Sequence, residues 1–354
     1  MIDTIHSVTQ ARIFEFLFRN APTRSSDIHE FILQKEGSEV SLVTIKRLLA
    51  RLRREGSLVV TGKGPATRYS LTNEGKLSAL VDAKAYCAQE PDSRFGLARY
   101  QFDVFPSLLS DPFTPEELVV LESATEEYTQ RSNEVSATLH QKELERFIIE
   151  LSWKSSKIEG NTYTLLDTER LLLYGEEAQG RSKDEALMIL NHKAAFTYIY
   201  ENRTTFKKLS RTHIEEVHTL LTKDLPIARN LRSSAVGVIG SRYQPLDNRF
   251  QIEEALVALL EAIDRMPHGY AKALVALMGL SYLQAFEDGN KRTARLVGNA
   301  VLLAYGLSPL SYRSVSEEEY REATLVFYEL NSLHSFKKLF IAQYQFAARN
   351  YLLS

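Results

Sequence analysis

Residues 284–295 read QAFEDGNKRTAR, and they lie between two segments whose apolar residues are spaced as in buried helices. The upstream segment carries Leu274, Leu277, Met278, Leu280 and Leu283, and the downstream segment carries Leu296, Val297, Ala300 and Leu303. Asp288-Gly289-Asn290 is a typical turn sequence, so the second helix is predicted to begin directly after it. The unpaired amides and positive dipole end of that helix predict an anion-binding site in the loop.

The charged side chains of this stretch favour a bound phosphorylated nucleotide. Arg292 and Arg295 are three positions apart, so they project from one face of the predicted helix. Asp288 is a carboxylate beside them, suited to hold Mg²⁺ against phosphates. A polar loop with structural ion pairs is the alternative that these residues alone leave open.

The same stretch resembles the motif of the Fic family, H-P-F-x-[D/E]-G-N-[G/K]-R-x-x-R. The matching residues are Phe286, Asp288, Gly289, Asn290, Lys291, Arg292 and Arg295. The resemblance covers roughly residues 115–350 and implies a mainly α-helical Fic core that uses ATP and Mg²⁺. By resemblance, Phe286 packs the loop into the core and Asp288 binds Mg²⁺. The residues implied in nucleotide binding are Gly289, Asn290 and Lys291, which form the anion hole, and Arg292 and Arg295, which hold the phosphates.

The first position of the motif departs from the family. Gln284 stands where Fic enzymes have a histidine, and Ala285 follows where they have a proline. In the family that histidine takes the proton from a Ser, Thr or Tyr hydroxyl as it attacks the α-phosphate of ATP. A glutamine amide is not basic near neutral pH, and loss of a general base costs about 10²–10⁴-fold in rate. We therefore expect impaired or absent AMP transfer.

Two nearby side chains are candidate replacement bases. His192 lies on a predicted core helix, where a packed structural histidine is the expected role. Glu287 is expected to face solvent. Neither residue restores the family pattern.

A second motif lies at the C-terminal end of a helix that is predicted at about residues 137–159. Its apolar stripe is formed by Leu144, Phe147, Ile148, Leu151 and Ile158. Ser155-x-x-x-Glu159-Gly160 resembles the Fic inhibitory motif [S/T]-x-x-x-E-[G/N], in the class that carries it N-terminal to the core. The resemblance implies that Glu159 pairs with Arg295 and blocks the γ-phosphate. A surface glutamate at a helix end is the alternative.

A third, shorter resemblance concerns residues 232–241. Arg232, followed by the β-like run VGVIGS at 236–241, is similar to the Fic flap, a short β-hairpin that aligns a target by strand addition. An ordinary hairpin is the alternative.

Residues 1–76 predict a small α+β domain that resembles a winged helix-turn-helix. Its third helix carries the stripe Leu42, Ile45, Leu48, Leu49 and Leu52. Ser41 is its predicted N-cap and Gly56 its stop. Two β-rich runs, 57–61 and 66–71, flank a Gly/Pro turn and predict a hairpin. Residues 77–113 are a predicted linker, and 114–354 the Fic domain.

The charge of the chain is concentrated in this N-terminal part. The whole chain has a formal net charge of −2, so any nucleic-acid surface must be local. Residues 41–76 hold eight Lys and Arg against two Glu, a net +6. The predicted DNA contacts are Lys46, Arg47, Arg51 and Arg54 on the third helix and Lys63 at the wing tip. A basic face for protein contacts is the alternative.

Composition narrows the class of protein. The chain has 354 residues, 44% apolar and 25% charged, which is typical of a globular protein with about two domains. Cys87 is the only cysteine, which excludes intrachain disulfides and cysteine metal clusters. The sequence has no signal-peptide pattern and no apolar run long enough for a membrane span, so a cytoplasmic protein is expected.

These observations predict an ATP–Mg²⁺-binding Fic protein with impaired or absent AMPylation that acts as a DNA-binding regulator. In this hypothesis ATP competes with Glu159 for Arg295. Three alternatives stay open. They are an active adenylyltransferase that modifies a target protein, phosphoryl transfer like that of Doc-type toxins, and a DNA-binding regulator whose Fic fold is a dimerisation scaffold. A homodimer would double the phosphate contacts to DNA.

Overall fold

The computed structural model describes residues 2–36 and 40–353, and helices dominate it. The N-terminal elements are α1 (Ile2–Asn20), α2 (Ser25–Glu36), α3 (Leu42–Arg54), β1 (Leu58–Thr61), β2 (Arg68–Leu71), α4 (Asn73–Leu77) and α5 (Ala83–Cys87). The following helices are α6 (Pro115–Asn133), α7 (Ala137–Ile158), α8 (Leu165–Tyr174), α9 (Lys183–Glu201), α10 (Arg211–Leu221), α11 (Arg249–Arg265), α12 (Gly269–Leu283), α13 (Asn290–Ala304), α14 (Glu317–Leu330) and α15 (His334–Asn350). The predicted mainly helical fold class is confirmed.

The chain divides into two compact units. The first comprises Met1–Leu108, Val238–Gln244 and Arg321–Lys337, and the second comprises Leu109–Gly237, Pro245–Tyr320 and Lys338–Ser354. The predicted linker comprised residues 77–113, and its residues 77–108 fall within the first unit. Whether residues 1–76 form a domain of their own stays a prediction.

Helices α1–α3 of the first unit surround an apolar core. Its buried residues include Ile13, Phe14, Leu17, Ile28, Ile32, Ile45, Leu48, Leu49 and Leu52. The third helix begins as predicted, because the Ser41 hydroxyl accepts a hydrogen bond from the Thr44 amide. Gly56 follows the helix with a φ of +77°, a conformation that glycine adopts without strain.

The two strands form the predicted hairpin after α3. They are antiparallel, and Leu58 pairs with Leu71 at one end of the register. Tyr69 of β2 also exchanges two backbone hydrogen bonds with Thr23, at 2.8 and 3.1 Å. The segment between α1 and α2 is therefore tied to the hairpin.

Helices α11–α13 form the centre of the second unit. α12 is buried along its whole length, as its largely apolar sequence predicts. Gly279 allows close packing of α11, because a Cβ atom there would lie 2.2 Å from Leu259 Cδ1. These contacts hold α12, which leads into the loop at residues 284–289.

The segment predicted as a flap differs from the expected hairpin. No strand is assigned to residues 232–241, all of which the structure describes. The Ser241 amide donates to Val238 O at 3.1 Å, which closes a turn where Gly240 has a φ of +74°. A β-like composition alone does not make a strand, since a strand also needs a paired backbone.

Within 2–36 and 40–353, no helix combines the length and apolarity that crossing a bilayer would require.

Candidate functional site

The loop between α12 and α13 is held in shape by Asn290 and two left-handed residues. Gln284, the C-cap of α12, has a φ of +50°, and Gly289, the N-cap of α13, has a φ of +77°. Asn290 Oδ1 accepts from the Phe286 amide at 2.8 Å, and its Nδ2 donates to Phe286 O at 2.7 Å. The Asn290 side chain is thus engaged within the loop, so any contact with an anion would come from its backbone amide.

A histidine absent from the predicted site supports this loop. The rings of His218 on α10 and Phe286 stack with centroids 3.7 Å apart and planes 6° apart. His218 Nε2 lies 3.0 Å from Asp288 O. Burial lowers the pKa of His218, so the ring is neutral near pH 7. The sequence signal for this residue is its position in the apolar stripe of α10, formed by Ile214, Val217 and Leu221.

The N-terminus of α13 and Arg292 together form a candidate site for an anion. Gly289 has no side chain to cap the first amides of the helix. Arg292 is 2% exposed, and its Nη2 donates to Asp288 Oδ2 at 3.1 Å. Its Nη1 has no hydrogen-bond partner among the described residues. A buried, unpaired guanidinium N–H is costly, and a bound anion would satisfy it.

Arg295 is fully buried, and it donates hydrogen bonds to Ser155 on α7 and to Glu159, the C-cap of α7. Its Nε donates to Ser155 Oγ at 2.9 Å and its Nη2 to Ser155 O at 2.8 Å. Its Nη1 donates to Glu159 Oε1 at 2.7 Å. Burial alone would lower the pKa of Arg295, but the Glu159 carboxylate outweighs it and the pKa lies above the usual value. Ser155 therefore positions the guanidinium, and Glu159 neutralises it.

Glu159 contacts two cations. Besides the bond to Arg295, its Oε2 accepts from Lys291 Nζ at 3.3 Å. Burial alone would raise the pKa of Glu159, but Arg295 and Lys291 reverse this effect and hold the pKa below its usual value. The side chain is 17% exposed, so an ionised and largely desolvated carboxylate covers Arg295. Gly160 follows with a φ of +94° and ends the helix as expected.

Asp288 is the carboxylate available to a divalent cation. Its side chain is 64% exposed, and its Oδ1 accepts from the Gly289 amide at 2.6 Å. No cluster of three or more His, Cys, Asp or Glu side chains that could hold a metal occurs in the described part of the chain. A cation here would take its other ligands from water and phosphate oxygens, which fits the preference of Mg²⁺.

The side chain of Gln284 turns back onto the last turn of α12. It is 7% exposed, and its Nε2 donates to Ser281 O at 2.6 Å. Its backbone oxygen accepts from Arg232 Nε at 2.6 Å, and Ala285 O accepts from the Arg232 amide at 3.1 Å. Arg232 therefore braces the loop, and the position that the motif gives to a base holds an amide.

Comparison with known proteins assigns this part of the chain. Residues 208–302 match the family model described as the Fic/DOC family. These residues form a Fic domain. The match contains His218 and the whole of 284–295, whereas Ser155 and Glu159 lie upstream of it.

Two relatives are named protein adenylyltransferase Fic. The chain is 29% identical to the one from Nematostella vectensis over 176 residues, which are 48% of this chain and 41% of that protein. It is 30% identical to the one from Aedes aegypti over 200 residues, which are 53% of this chain and 38% of that protein. The chain thus spans about two-fifths of the length of these relatives.

Solved structures share the fold of the Fic domain. A Fic domain containing signaling protein from Bacteroides thetaiotaomicron has a TM-score of 0.54 at 18% identity, over 65% of this chain and 94% of that one. Fic-1 from C. elegans has a TM-score of 0.57 at 20% identity, over 66% of this chain and 71% of that one. At these identities the likeness shows the fold.

The two candidate replacement bases, His192 and Glu287, lie where the sequence predicts. His192 is fully buried, and neither ring nitrogen has a hydrogen-bond partner among residues 2–36 and 40–353. Burial, together with Arg295 and Arg292, lowers the pKa of His192 to about 3, so the ring stays neutral and weakly basic. Glu287 is exposed to solvent.

The predicted DNA contacts lie outside the Fic match, on α3 and the hairpin. Lys46, Arg47, Arg54 and Lys63 are exposed, as predicted. Arg51 differs, because its Nη2 donates to Gln10 Oε1 at 2.7 Å and its Nε lies 3.5 Å from Glu55 Oε1. The exposed face of α3 is formed by Val43, Lys46, Arg47, Ala50, Arg53 and Arg54.

Proposed function

We propose that this protein is a nucleotide-responsive regulator. Its Fic domain binds ATP with Mg²⁺ and transfers AMP poorly or not at all, and its N-terminal part binds DNA. The observation that carries the proposal is the presence of a candidate anion site together with an amide at the position of the base. Among the described residues, Arg292 Nη1 has no hydrogen-bond partner beside the start of α13, whereas Gln284 donates to Ser281 O. The names of the relatives support ATP as the nucleotide.

Asp288 is the residue that would hold Mg²⁺ in this proposal. It lies one residue before the N-cap of α13 and is bonded to Arg292. The ion would supply positive charge against the phosphates of the nucleotide.

Glu159 is the element that ATP would displace. Ser155 accepts two hydrogen bonds from Arg295, so the guanidinium stays in place when Glu159 leaves. A terminal phosphate could then take over the contacts of Glu159 with Arg295 and Lys291. A hydrogen bond to a charged group contributes about 1.5–3 kcal/mol, so Glu159 should oppose ATP binding by a free energy of this order.

The variant Glu159→Gly is expected to bind ATP–Mg²⁺ about ten- to a hundredfold more tightly than the native protein, because the competing carboxylate is gone. Calorimetry measures the affinity directly. Trp153, the only tryptophan, gives a second readout from α7, where its indole Nε1 donates to Tyr163 O at 3.2 Å.

Glu134→Gly is the matched control for that variant. Glu134 is likewise a C-cap glutamate, at the end of α6, so the change in backbone freedom is comparable, but its side chain is exposed. Its ATP affinity should equal that of the native protein. Absence of ATP binding to Glu159→Gly would refute a nucleotide site.

Lys291 should affect ATP affinity in two opposite ways. It should raise the affinity by contacting a phosphate, and it should lower it by holding Glu159 in place. In the Glu159→Gly background, Lys291→Ala should weaken ATP binding by about three- to tenfold, as one phosphate contact is lost. In the native background the loss should be smaller, since Lys291→Ala also loosens Glu159. Calorimetry on the four proteins of the cycle measures the difference. Equal losses in both backgrounds would show that Lys291 does not hold Glu159.

Protein AMP transfer is the second candidate function, and the names of the relatives favour it. It requires a base other than Gln284, or a target hydroxyl that loses its proton without one. Phosphoryl transfer would give a different adduct, and a scaffold would give none. Intact mass therefore separates these alternatives.

DNA binding is the second half of the proposal. Its support is the order of three helices and a hairpin, the backbone tie between Thr23 and Tyr69, and the basic exposed face of α3. This arrangement resembles a winged helix whose third helix enters the major groove. Bound ATP would change the affinity for DNA in this proposal.

The double variant Arg47→Ala/Arg54→Ala should weaken DNA binding and reduce the slope of log affinity against log salt by about 2, because each phosphate contact contributes about 0.9. Fluorescence anisotropy with duplex DNA at several salt concentrations measures this slope. Lys142→Ala/Lys183→Ala removes two exposed charges from the second unit and should leave it unchanged. Equal losses in both pairs would contradict recognition by α3.

A further inference from the structure

We infer that the first unit contains a pocket for a small amphipathic organic anion, independent of the Fic site. The pocket lies between α1 and residues 80–95, and its volume is about 470 Å³. This volume falls within the range of about 300–1,000 Å³ that is usual for small-molecule sites. All the residues that line it belong to the first unit.

The wall contributed by α1 is a separate face of that helix. Ile13, Phe14 and Leu17 face the core of the helical bundle and are at most 1% exposed. The residues that face the pocket are Val8, Ala11, Arg12, Glu15, Phe18 and Arg19, which recur at helical spacing. One face of α1 therefore packs into the hydrophobic core, and a second face lines the pocket.

The body of the pocket is apolar. Phe18, Val81 and Phe95 line it from three different parts of the chain, and Ala11 and Ala85 leave space between them. An inorganic ion would leave these surfaces in contact with water. A ligand with a flat or branched apolar body would cover them and remove their apolar surface from water, which favours binding.

The charged residues among the described lining of the pocket are three cations and two carboxylates, a net positive charge. The carboxylate of Glu15 accepts from Arg12 at 2.8 Å, from Lys35 at 2.9 Å and from Arg19 at 3.5 Å. The other acidic residue of the lining, Asp82, accepts the Ala85 amide at 3.0 Å and caps α5.

The heads of these cations can reach a ligand. The side chains of Arg12, Arg19 and Lys35 are 33–43% exposed, whereas that of Glu15 is 16% exposed. The Arg19 guanidinium also lies 4.1 Å from the centre of the Phe95 ring, which orients it over the apolar wall. A carboxylate or sulfonate on an apolar body would satisfy both parts of the pocket.

The test uses two fluorescent probes with nearly the same aromatic body, anilinonaphthalene sulfonate and the neutral phenylnaphthylamine. The sulfonate should bind the full chain saturably with one site, at least about tenfold more tightly than the neutral probe. ATP–Mg²⁺ should not displace it, because the pocket and the Fic site share no residue. The double variant Arg19→Gln/Lys35→Gln should weaken sulfonate binding about tenfold, with little effect on the neutral probe.

Two further variants locate the probe. Ala11→Phe should fill the cavity and abolish binding of both probes, and Arg24→Gln/Lys84→Gln, which neutralises two exposed cations outside the pocket, should bind normally. Thermal melts followed by circular dichroism check that every variant folds. The inference is overturned if binding is not saturable, if Ala11→Phe binds normally, if ATP displaces the sulfonate, or if both probes bind equally well.

Discussion

Glu159→Gly/Gln284→His should modify itself with AMP about 10²–10⁴ times faster than Glu159→Gly, because the imidazole restores a general base to a site that otherwise retains its phosphate contacts. This range corresponds to about 3–5 kcal/mol of transition-state stabilisation. Gln284 lies at the end of α12, beside the loop that leads to Asp288 and Arg292. Intact mass after incubation with ATP and Mg²⁺, read at several times, measures the rate.

The control for this gain is Glu159→Gly/Gln284→Asn, which changes the same position without adding a base. It should stay as inactive as Glu159→Gly. An AMP adduct on Glu159→Gly alone would mean that another group takes the proton, and a phosphate-sized adduct would indicate phosphoryl transfer. If the histidine variant binds ATP but stays unmodified, replacement of the base does not explain the loss of transfer.

Arg295→Ala should lower the free energy of unfolding by about 3–5 kcal/mol, the cost of removing one partner from a buried ion pair. Arg295 is fully buried, and its loss leaves Ser155 without its two guanidinium bonds and Glu159 with only Lys291. The variant should also fail to bind ATP in the Glu159→Gly background. Urea unfolding followed by Trp153 fluorescence reports on the unit that contains the pair.

Arg349→Ala is the matched control for this stability measurement. Arg349 is 59% exposed and lies 3.7 Å from Glu127, so its loss should cost less than about 1 kcal/mol. Glu159→Gly/Arg295→Ala should be more stable than Arg295→Ala alone, because the carboxylate that lost its arginine partner is removed as well. Equal destabilisation by Arg295→Ala and Arg349→Ala would contradict a buried, energetically coupled pair.

In the N-terminal part, features that depend on neighbouring residues were predictable from the sequence, and a contact between distant residues was not. The cap at Ser41, the stripe of α3 and the turn before β2 depend on residues close in sequence, and they were predicted. Arg51 was assigned to the exposed basic face by its helical spacing. Its bond to Gln10, 41 positions away, could not be read from that spacing.

Residues 77–108 and 232–241 show the same limit in irregular segments. Proline and glycine predict an irregular linker at 77–113, but they do not predict α5 or that Tyr86 is buried with its hydroxyl bonded to Phe95 O and Glu329 Oε2. The β-like run at 236–241 was predicted to pair with itself. Pairing depends on a neighbouring backbone, and a composition of β-branched residues does not specify one.

In the Fic domain, the sequence by itself determined the two apolar helices, the turn between them, and the residue types that carry charge at the start of α13. Resemblance to the family supplied the pair between Glu159 and Arg295, which are 136 positions apart. Only the tertiary structure decided that Ser155 holds Arg295 twice, that Lys291 also contacts Glu159, and that His218 stacks on Phe286. Helix starts, turns and stripes follow from interactions within a few residues, whereas these contacts depend on how separate helices pack, which no local pattern encodes.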